Sequence, residues 1–337
     1  MKHRYRSQIT SQGQNDPSLV FEAAIKCLLN EVFPSFPMWI REMMPGDAMS
    51  MPVTAALVNE LRKRTDLPMM DCKAALVEAE GDIPKAIQLL REKFAKLAVK
   101  RSMNETAEGR VAITIDPATK TAAILDMRCE SAPVAKSDQF IALANDLAKQ
   151  IAQKDPKTTD ELIAQPFVGD SKTTVTDRIN EVIGLIRENM KPHRFQRLTG
   201  GVYGEYVHHD GSTGVLLEVT GKDSAPAELL RDICAHIAAL NPQYTRVEEV
   251  PADIVTREKD LAKTQIEADP KNVGKPANIM EKIIEGKLKT WFAEGVLLEQ
   301  PIANQAKYDK KTVGQLLKGA GLELSKFVRL KVGEVTL

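Results

Sequence analysis

The chain has 337 residues, 43% of them hydrophobic, enough to bury a sizeable core and more in keeping with two or three domains than with one. Forty-six basic residues balance forty-six acidic ones, so no global field draws the chain to nucleic acid or anionic lipid. Cys27, Cys72, Cys129 and Cys234 lie far apart, with no C-x-x-C pair, no histidines at metal-ligand spacing and no apolar run near the roughly 20 residues that span a bilayer; a soluble cytoplasmic protein with reduced thiols and no metal is expected.

The first 50 residues differ in kind from the rest. They are polar to about Ser18, carry one short apolar patch from Leu19 to Val32, and contain Pro34, Pro37 and Pro45. Because Met51 opens a segment that could itself start a protein, residues 1–50 read as an extension that is poorly ordered or not translated. Lys2, Arg4 and Arg6 hint at a transit peptide, against which Asp16, Glu22 and Glu31 argue.

Residues 51–95 predict a helical domain. Thr54 is a good N-cap, Leu57, Val58 and Leu61 recur at helical spacing, and Asp66-Leu67-Pro68 ends the run. Met69, Cys72, Leu76 and Val77 form the next stripe; Asp82 caps a third helix that tolerates Pro84 in its first turn and buries Ala86, Leu89, Leu90 and Phe94. A linker is expected over 96–104. Val111, Ile113 and Ile115 then alternate up to the Asp116-Pro117 turn, and Ala123, Leu125, Met127 and Cys129 continue as the second strand of a hairpin. Helices follow, one from about Ser137 carrying Phe140, Ala144, Leu147 and Ile151, the other carrying Val175, Ile179, Val182, Ile183 and Ile186.

Laying Gly109 on Gly201 reveals a repeat about 92 residues later. Ala123-Ile124-Leu125-Asp126-Met127 matches Val215-Leu216-Leu217-Glu218-Val219, and each strand leads through a Ser-Ala-Pro triplet, Ser131 to Pro133 and Ser224 to Pro226, into an alanine-rich helix. Two related α+β halves are inferred, spanning 105–195 and 196–250. Polar helical segments from about Ala252 to Glu267 and Pro276 to Phe292 predict an antiparallel helical hairpin over 251–295, its apolar face built by Ile254 and Leu261 against Ile279, Ile283, Leu288 and Trp291. A helical patch from Lys311 to Lys318 and an alternating strand through Val328, Leu330 and Val332 close a terminal module over 296–337.

Residues that could carry bond chemistry are scarce. His208-His209 beside Asp210-Gly211 reads as a turn before it reads as a site, and His236 suits either a core or a surface position. No nucleophile motif, phosphate loop or dinucleotide fingerprint occurs. Lys85, Arg91, Lys93, Lys96, Lys100 and Arg101 make the one basic run; a solvated helix face is the first reading, and an RNA- or ribosome-associated binding protein using 85–101 is the alternative. Phe94 is the only aromatic there, against the stacking that single-stranded recognition uses. A protein that acts by gripping another protein fits these residues better than an enzyme.

Leu57-Val58-Asn59-Glu60-Leu61-Arg62, Thr65, Met69 to Leu76 and Gly81-Asp82-Ile83 resemble the start of the elongation factor Ts family. The likeness continues through Cys129-Glu130, Val134-Ala135-Lys136, Glu285-Gly286-Lys287 and Lys311 to Leu317, covering roughly Val53 to Val335. It implies an α+β fold: a small UBA-like three-helix domain, a two-part core with repeated halves, a coiled-coil insertion and a C-terminal module. The function it implies is a guanine nucleotide exchange factor for elongation factor Tu, which binds the GDP complex, distorts the Mg²⁺ and phosphate site and promotes GDP release so that GTP can bind. No cofactor, catalytic residue, membrane or specific nucleic acid is implied; self-association through the hairpin stays open. The segment that dislocates Mg²⁺ would be Ser131, Ala132, Pro133 and Val134, and other partner contacts would fall on Val58, Leu61, Arg62, Met70, His236, Val313 and Leu317. Where the family has Thr-Asp-Phe-Val-Ala-Lys, this chain has Ser131-Ala132-Pro133-Val134-Ala135-Lys136, so the acidic and aromatic pair is absent.

Overall fold

The computed structural model describes residues 53–272 and 275–334; the expected extension over 1–50 lies outside the described residues. Helices α1 (Ala55–Thr65), α2 (Met69–Glu78) and α3 (Ile83–Arg101) open the chain. Thr54 accepts the Leu57 N–H at the start of α1, Asp82 accepts the Lys85 N–H at the start of α3, and Asp66 ends α1 in the left-handed conformation. Leu61, Cys72, Leu76, Ala86, Leu90 and Phe94 fill the space between them. The linker expected over 96–104 is corrected, because α3 stays helical to Arg101. Leu97 and Ala98 pack against the core that follows, and that contact holds a sequence whose lysines suggested a free connector.

Strands β1 (Glu108–Asp116) and β2 (Thr121–Cys129) form the expected hairpin. A single helical turn, α4 (Ala132–Ala135), precedes α5 (Asp138–Lys154), whose buried face carries Phe140, Ala144, Leu147 and Ile151 as expected. Helix α6 (Thr159–Ala164) and the small hairpin β3 (Pro166–Phe167) and β4 (Asp170–Thr174) lead into α7 (Val175–Ile186), which begins at a reciprocal cap between Thr174 and Asp177. Strand β5 (Met190–Thr199) then returns beside β2. Sequence reading missed α6, β3, β4 and β5. Strand β5 carries Lys191, Arg194 and Arg197, so its pattern lacks the clean apolar alternation of a core strand; it is an edge strand that β2 recruits.

The second half repeats the scheme. Strands β6 (Val202–Val207) and β7 (Thr213–Thr220) form a hairpin, α8 (Ala227–Leu240) follows, and a helical hairpin of α9 (Ala252–Ala268) and α10 (Ala277–Gly295) is inserted. The short α11 (Gln305–Tyr308), α12 (Val313–Ala320) and β8 (Glu323–Lys331) complete the chain, and β8 pairs with β7 as β5 pairs with β2. Both pairings shift register at matching places, between Asp126 and Met127 and between Glu218 and Val219, residues that the sequence repeat also matches. In the helical hairpin the seam is Ala262 and Ile266 against Ile284, whereas Leu261 and Ile279 are exposed. Ile283 and Leu288 pack against this seam as expected, while Leu261 and Ile279 are corrected: small Ala262 lets the helices approach, and bulkier Leu261 turns outward.

The two three-stranded sheets lie face to face. On β2, Ala123, Leu125, Met127 and Cys129 point to α5 and α7, while Ala122 and Ile124 point the other way and join Val111, Leu198, Leu216, Val328 and Leu330 in a cluster shared by both sheets. On β7, Val215, Leu217 and Val219 turn to α8 and α12. The layers therefore run helix, sheet, sheet, helix. The first helices are fixed to this core by α3 on α7, where a Cβ on Gly184 would lie 2.4 Å from the Phe94 ring. Asp71 joins them, ion-paired to Lys93 at 2.9 Å and to Arg187, just past α7, at 3.1 Å. The hydrogen bond from Lys93 first, and then the charges of Lys93 and Arg187, hold the Asp71 carboxyl below its ordinary range. Among the described residues no helix is long and apolar enough to cross a membrane.

The sheets approach closely at Gly214, where an added Cβ would lie 2.4 Å from Cγ1 of the buried Val111. Gly214→Val should lower stability by about 1–3 kcal/mol, the usual cost of overpacking a filled core. Urea unfolding checks this, and an unshifted midpoint would mean the sheets are not packed this closely.

Candidate functional site

The segment that leaves β2 is held from both sides. Cys129 and Met190 are the last backbone pair of β2 and β5. Beyond them, side chains carry the pairing further. Glu130 accepts the backbone N–H of Asn189, and Glu188 accepts both the backbone N–H of Ser131 at 3.1 Å and its hydroxyl at 2.8 Å. Asn104 donates to Glu130 at 2.9 Å, and the Asn189 amide donates to the Asn104 carbonyl at 2.9 Å, so the chain after α3 is tied into the same cluster. At the far end, Arg110 reaches the Ala135 carbonyl at 3.4 Å.

Between these anchors Ala132 and Pro133 are exposed, Val134 is half-buried against the first core, and Ala135 is buried. The outcome is an apolar tip on a braced single turn. The Cys129 thiol beneath it donates to the Ser131 carbonyl, and burial pushes its pKa up to about 12. Cys234 is likewise raised by burial, so Cys129 and Cys234 are protonated core groups; Cys72 is buried among the first helices.

The other expected contact residues fall into two sets. Arg62 and Met70 are exposed, Met70 to 72%, and Met69 and Val77 are exposed with it, so α2 presents an apolar strip to solvent. Val58, Leu61, Val313 and Leu317 are buried. Their side chains pack the helices that carry the surface and leave little area exposed in the unbound chain.

His236 is 1% exposed in the unbound chain. Its Nδ1 accepts the Ala303 N–H at 3.0 Å, and its Nε2–H donates to Gln300 Oε1 at 2.8 Å. Gln300 in turn donates to the Glu294 carbonyl at 2.8 Å and accepts, through its own carbonyl, the Val313 N–H at 3.0 Å. His236 is thus a hub that fastens the base of the helical hairpin and the start of α12 to α8. His208 and His209 lie at the β6–β7 turn, as read, with Tyr206 Oη 3.1 Å from His208 Nδ1. Sequence reading missed Glu130, Glu188 and Asn189. No motif marks them, because their roles arise only where two chain ends meet beyond a sheet edge.

A family model described as elongation factor TS matches residues 132–334. Elongation factor Ts of Trichlorobacter lovleyi is 37% identical over 298 residues, covering 84% of this chain and 94% of its own. The Thiobacillus denitrificans protein of the same description is 40% identical over 283 residues, with 84% and 92% covered, and that of Lactiplantibacillus plantarum is 37% identical over 285 residues, with 84% and 92% covered. The chain belongs to the elongation factor Ts family. Its function is accordingly nucleotide exchange on elongation factor Tu in translation elongation. Within the match to the elongation factor Ts model lie the apolar tip, the His236 hub, the helical hairpin and α12, whereas α1 to α3 precede it.

Burial, the larger cause, lowers the His236 pKa, against a smaller opposing effect of the Gln300 hydrogen bond. A folded-state value below the ordinary 6.5 means that the unfolded chain takes up a proton first, so stability present above that pH is lost as pH falls below it. His193, also lowered by burial, acts with the same sign. Wild type should lose more stability between about pH 7.5 and about pH 5 than His236→Gln does, by up to about 1.4 kcal/mol per pH unit. Urea unfolding at the two pH values measures the difference, and equal slopes would exclude His236 as a titrating brace.

Proposed function

We propose that this chain binds the GDP complex of elongation factor Tu and opens its nucleotide site by pressing the Ala132-Pro133 tip toward the Mg²⁺ and phosphate region, while Arg62 and the Met69, Met70 and Val77 strip of α2 hold the same partner. The observation that carries this reading is the tip itself: two exposed apolar residues on a turn braced at both ends. Three helices with a UBA-like role, anchored on α7, supply the second handhold, and α12 with the terminal strand braces the far side.

The physical logic is linkage. A protein that binds the nucleotide-free conformation of its partner more tightly than the GDP conformation must weaken GDP by the same factor. Each 1.4 kcal/mol of that difference is about tenfold in affinity, so several contacts have to act together. A rigid apolar wedge suits this task, because a flexible one would lose entropy on insertion. Lacking the acidic and aromatic pair of the family pattern, the tip acts by shape alone, and more of the coupling falls on the rest of the interface.

The alternative reading through the basic run gains little from the structure. Lys93 is paired with Asp71, Arg101 lies 3.7 Å from Glu130, and Arg91 is half-buried, which takes three of the six basic residues out of the run and leaves Lys85, Lys96 and Lys100 as exposed lysines with no stacking aromatic beside them in the sequence.

Release of labelled GDP from elongation factor Tu tests the reading. Saturating wild-type chain should accelerate release strongly. Pro133→Gly should lower that maximal rate by about two- to tenfold by loosening the wedge; an unchanged rate would remove the tip from the mechanism. Met70→Lys should weaken complex formation by about three- to tenfold with no change in thermal midpoint, since Met70 is already solvated.

A further inference from the structure

We infer that Glu188 is the positioning residue of the exchange tip, a role that rests on the exchange reading above. The inference comes from where the sheet stops. Strand β2 ends at Cys129 and β5 begins at Met190, so the loops 130–131 and 188–189 face one another with no further backbone pairing. A connection leaving a sheet at such a point normally swings free. Here carboxylates stand in for the missing carbonyls. Glu130 takes the Asn189 N–H from one side, and Glu188 takes the Ser131 N–H from the other. The two bonds run crosswise and extend the sheet by two residues.

Glu188 adds a second bond, to the Ser131 hydroxyl at 2.8 Å. Ser131 is the residue before α4 and has extended backbone, with its carbonyl accepting the Ala135 N–H at 3.2 Å. Fixing Ser131 therefore fixes the direction in which the turn starts, and with it where Ala132 and Pro133 point. Among the described residues, the side-chain hydrogen bonds that reach Ser131 are those of Glu188 and the weaker one from the Cys129 thiol to the Ser131 carbonyl. The hydrogen bonds of Glu188 go to Ser131, so it acts on Ala132 and Pro133 through Ser131.

This assignment separates two steps. Overall complex formation uses the strip on α2 and the rest of the surface, whereas opening the nucleotide site requires the tip to arrive already aimed. Removing Glu188 should therefore lower the maximal exchange rate without an equal loss of binding.

The test uses the full chain with Glu188→Ala, Glu188→Gln and Ser131→Ala. Glutamine can still accept the Ser131 N–H through its carbonyl and donate to the hydroxyl through its amide. Glu188→Ala is expected to raise hydrogen–deuterium exchange at the Ser131 and Ala135 amides and to cut the maximal GDP-release rate by about three- to tenfold, as expected for losing two bonds to one acceptor. Its half-saturating concentration should stay within about twofold of wild type. Glu188→Gln should restore both readouts, and Ser131→Ala should fall between.

Unchanged amide protection in Glu188→Ala would overturn the latch. So would a loss confined to half-saturation, or a loss that Glu188→Gln shares in full. If wild-type chain leaves GDP release at its intrinsic rate, the exchange reading fails first and the role assigned to Glu188 falls with it; altered protection in Glu188→Ala would then stand only as a local structural effect.

Discussion

Everything in the core depends on one constraint: the middle strands β2 and β7 are buried on both faces. Each gives one set of side chains to its helices and the other set to the opposite sheet. Apart, each three-stranded sheet would leave the second apolar face of its middle strand in water. Packed together they share the cluster around Ile124, Leu216 and Val328, beside the core that each half builds under its own helices. Side-chain size then sets the spacing, which is why Gly214 faces Val111 and why the repeat keeps small residues along β2.

The polar groups inside this sandwich fix alignment more than they add stability. Asp126, fully buried, receives two hydrogen bonds from Arg128 at 2.7 and 3.0 Å and one from Arg194 at 3.2 Å. Arg194 also reaches the Lys331 carbonyl of β8, so the network ties one sheet to the edge of the other. At the matching place in the second half, Glu218 accepts from Ser325 at 2.9 Å. Buried ion pairs recover little more than their desolvation cost, but breaking one leaves a charge stranded. They penalise a wrong register, and the register decides where β2 ends. The end of β2 in turn decides where the exposed tip begins.

A chain of positions thus leads from core packing to function. Sheet contact sets the strands, the strands end at Cys129 and Met190, and the crossed carboxylates of Glu130 and Glu188 hold the exit. The same cluster holds Asn104, which ties the helices at the start of the chain to the core. The apolar strip on α2 and the tip after β2 therefore belong to one packed unit, as a grip on a single partner requires. At the other end the His236 hub fastens the helical hairpin and α12, giving that side the same rigidity.

Much of this was legible in the residues. Helical periods, caps at Thr54, Asp82 and Ser137, the β1–β2 hairpin and the repeat of Asp126 on Glu218 are local signals, and local propensity with burial period is what a sequence states directly. The motifs from Leu57 to Ile83 and from Cys129 to Lys136 were enough to name the family. What they could not give was which apolar residues are covered and which are offered. Leu61, His236, Val313 and Leu317 look like contact residues beside a motif and are packed away, while Met70 is left out. Strand β5 was invisible because its partner, not its pattern, makes it a strand, and Glu188 because its role needs a loop 57 residues away along the chain. The sequence by itself determined the elements and the kinship. Tertiary structure decided the sheet pairing, the braced tip and the accessible surface, since those depend on distances between residues far apart in the chain, and no local pattern encodes them.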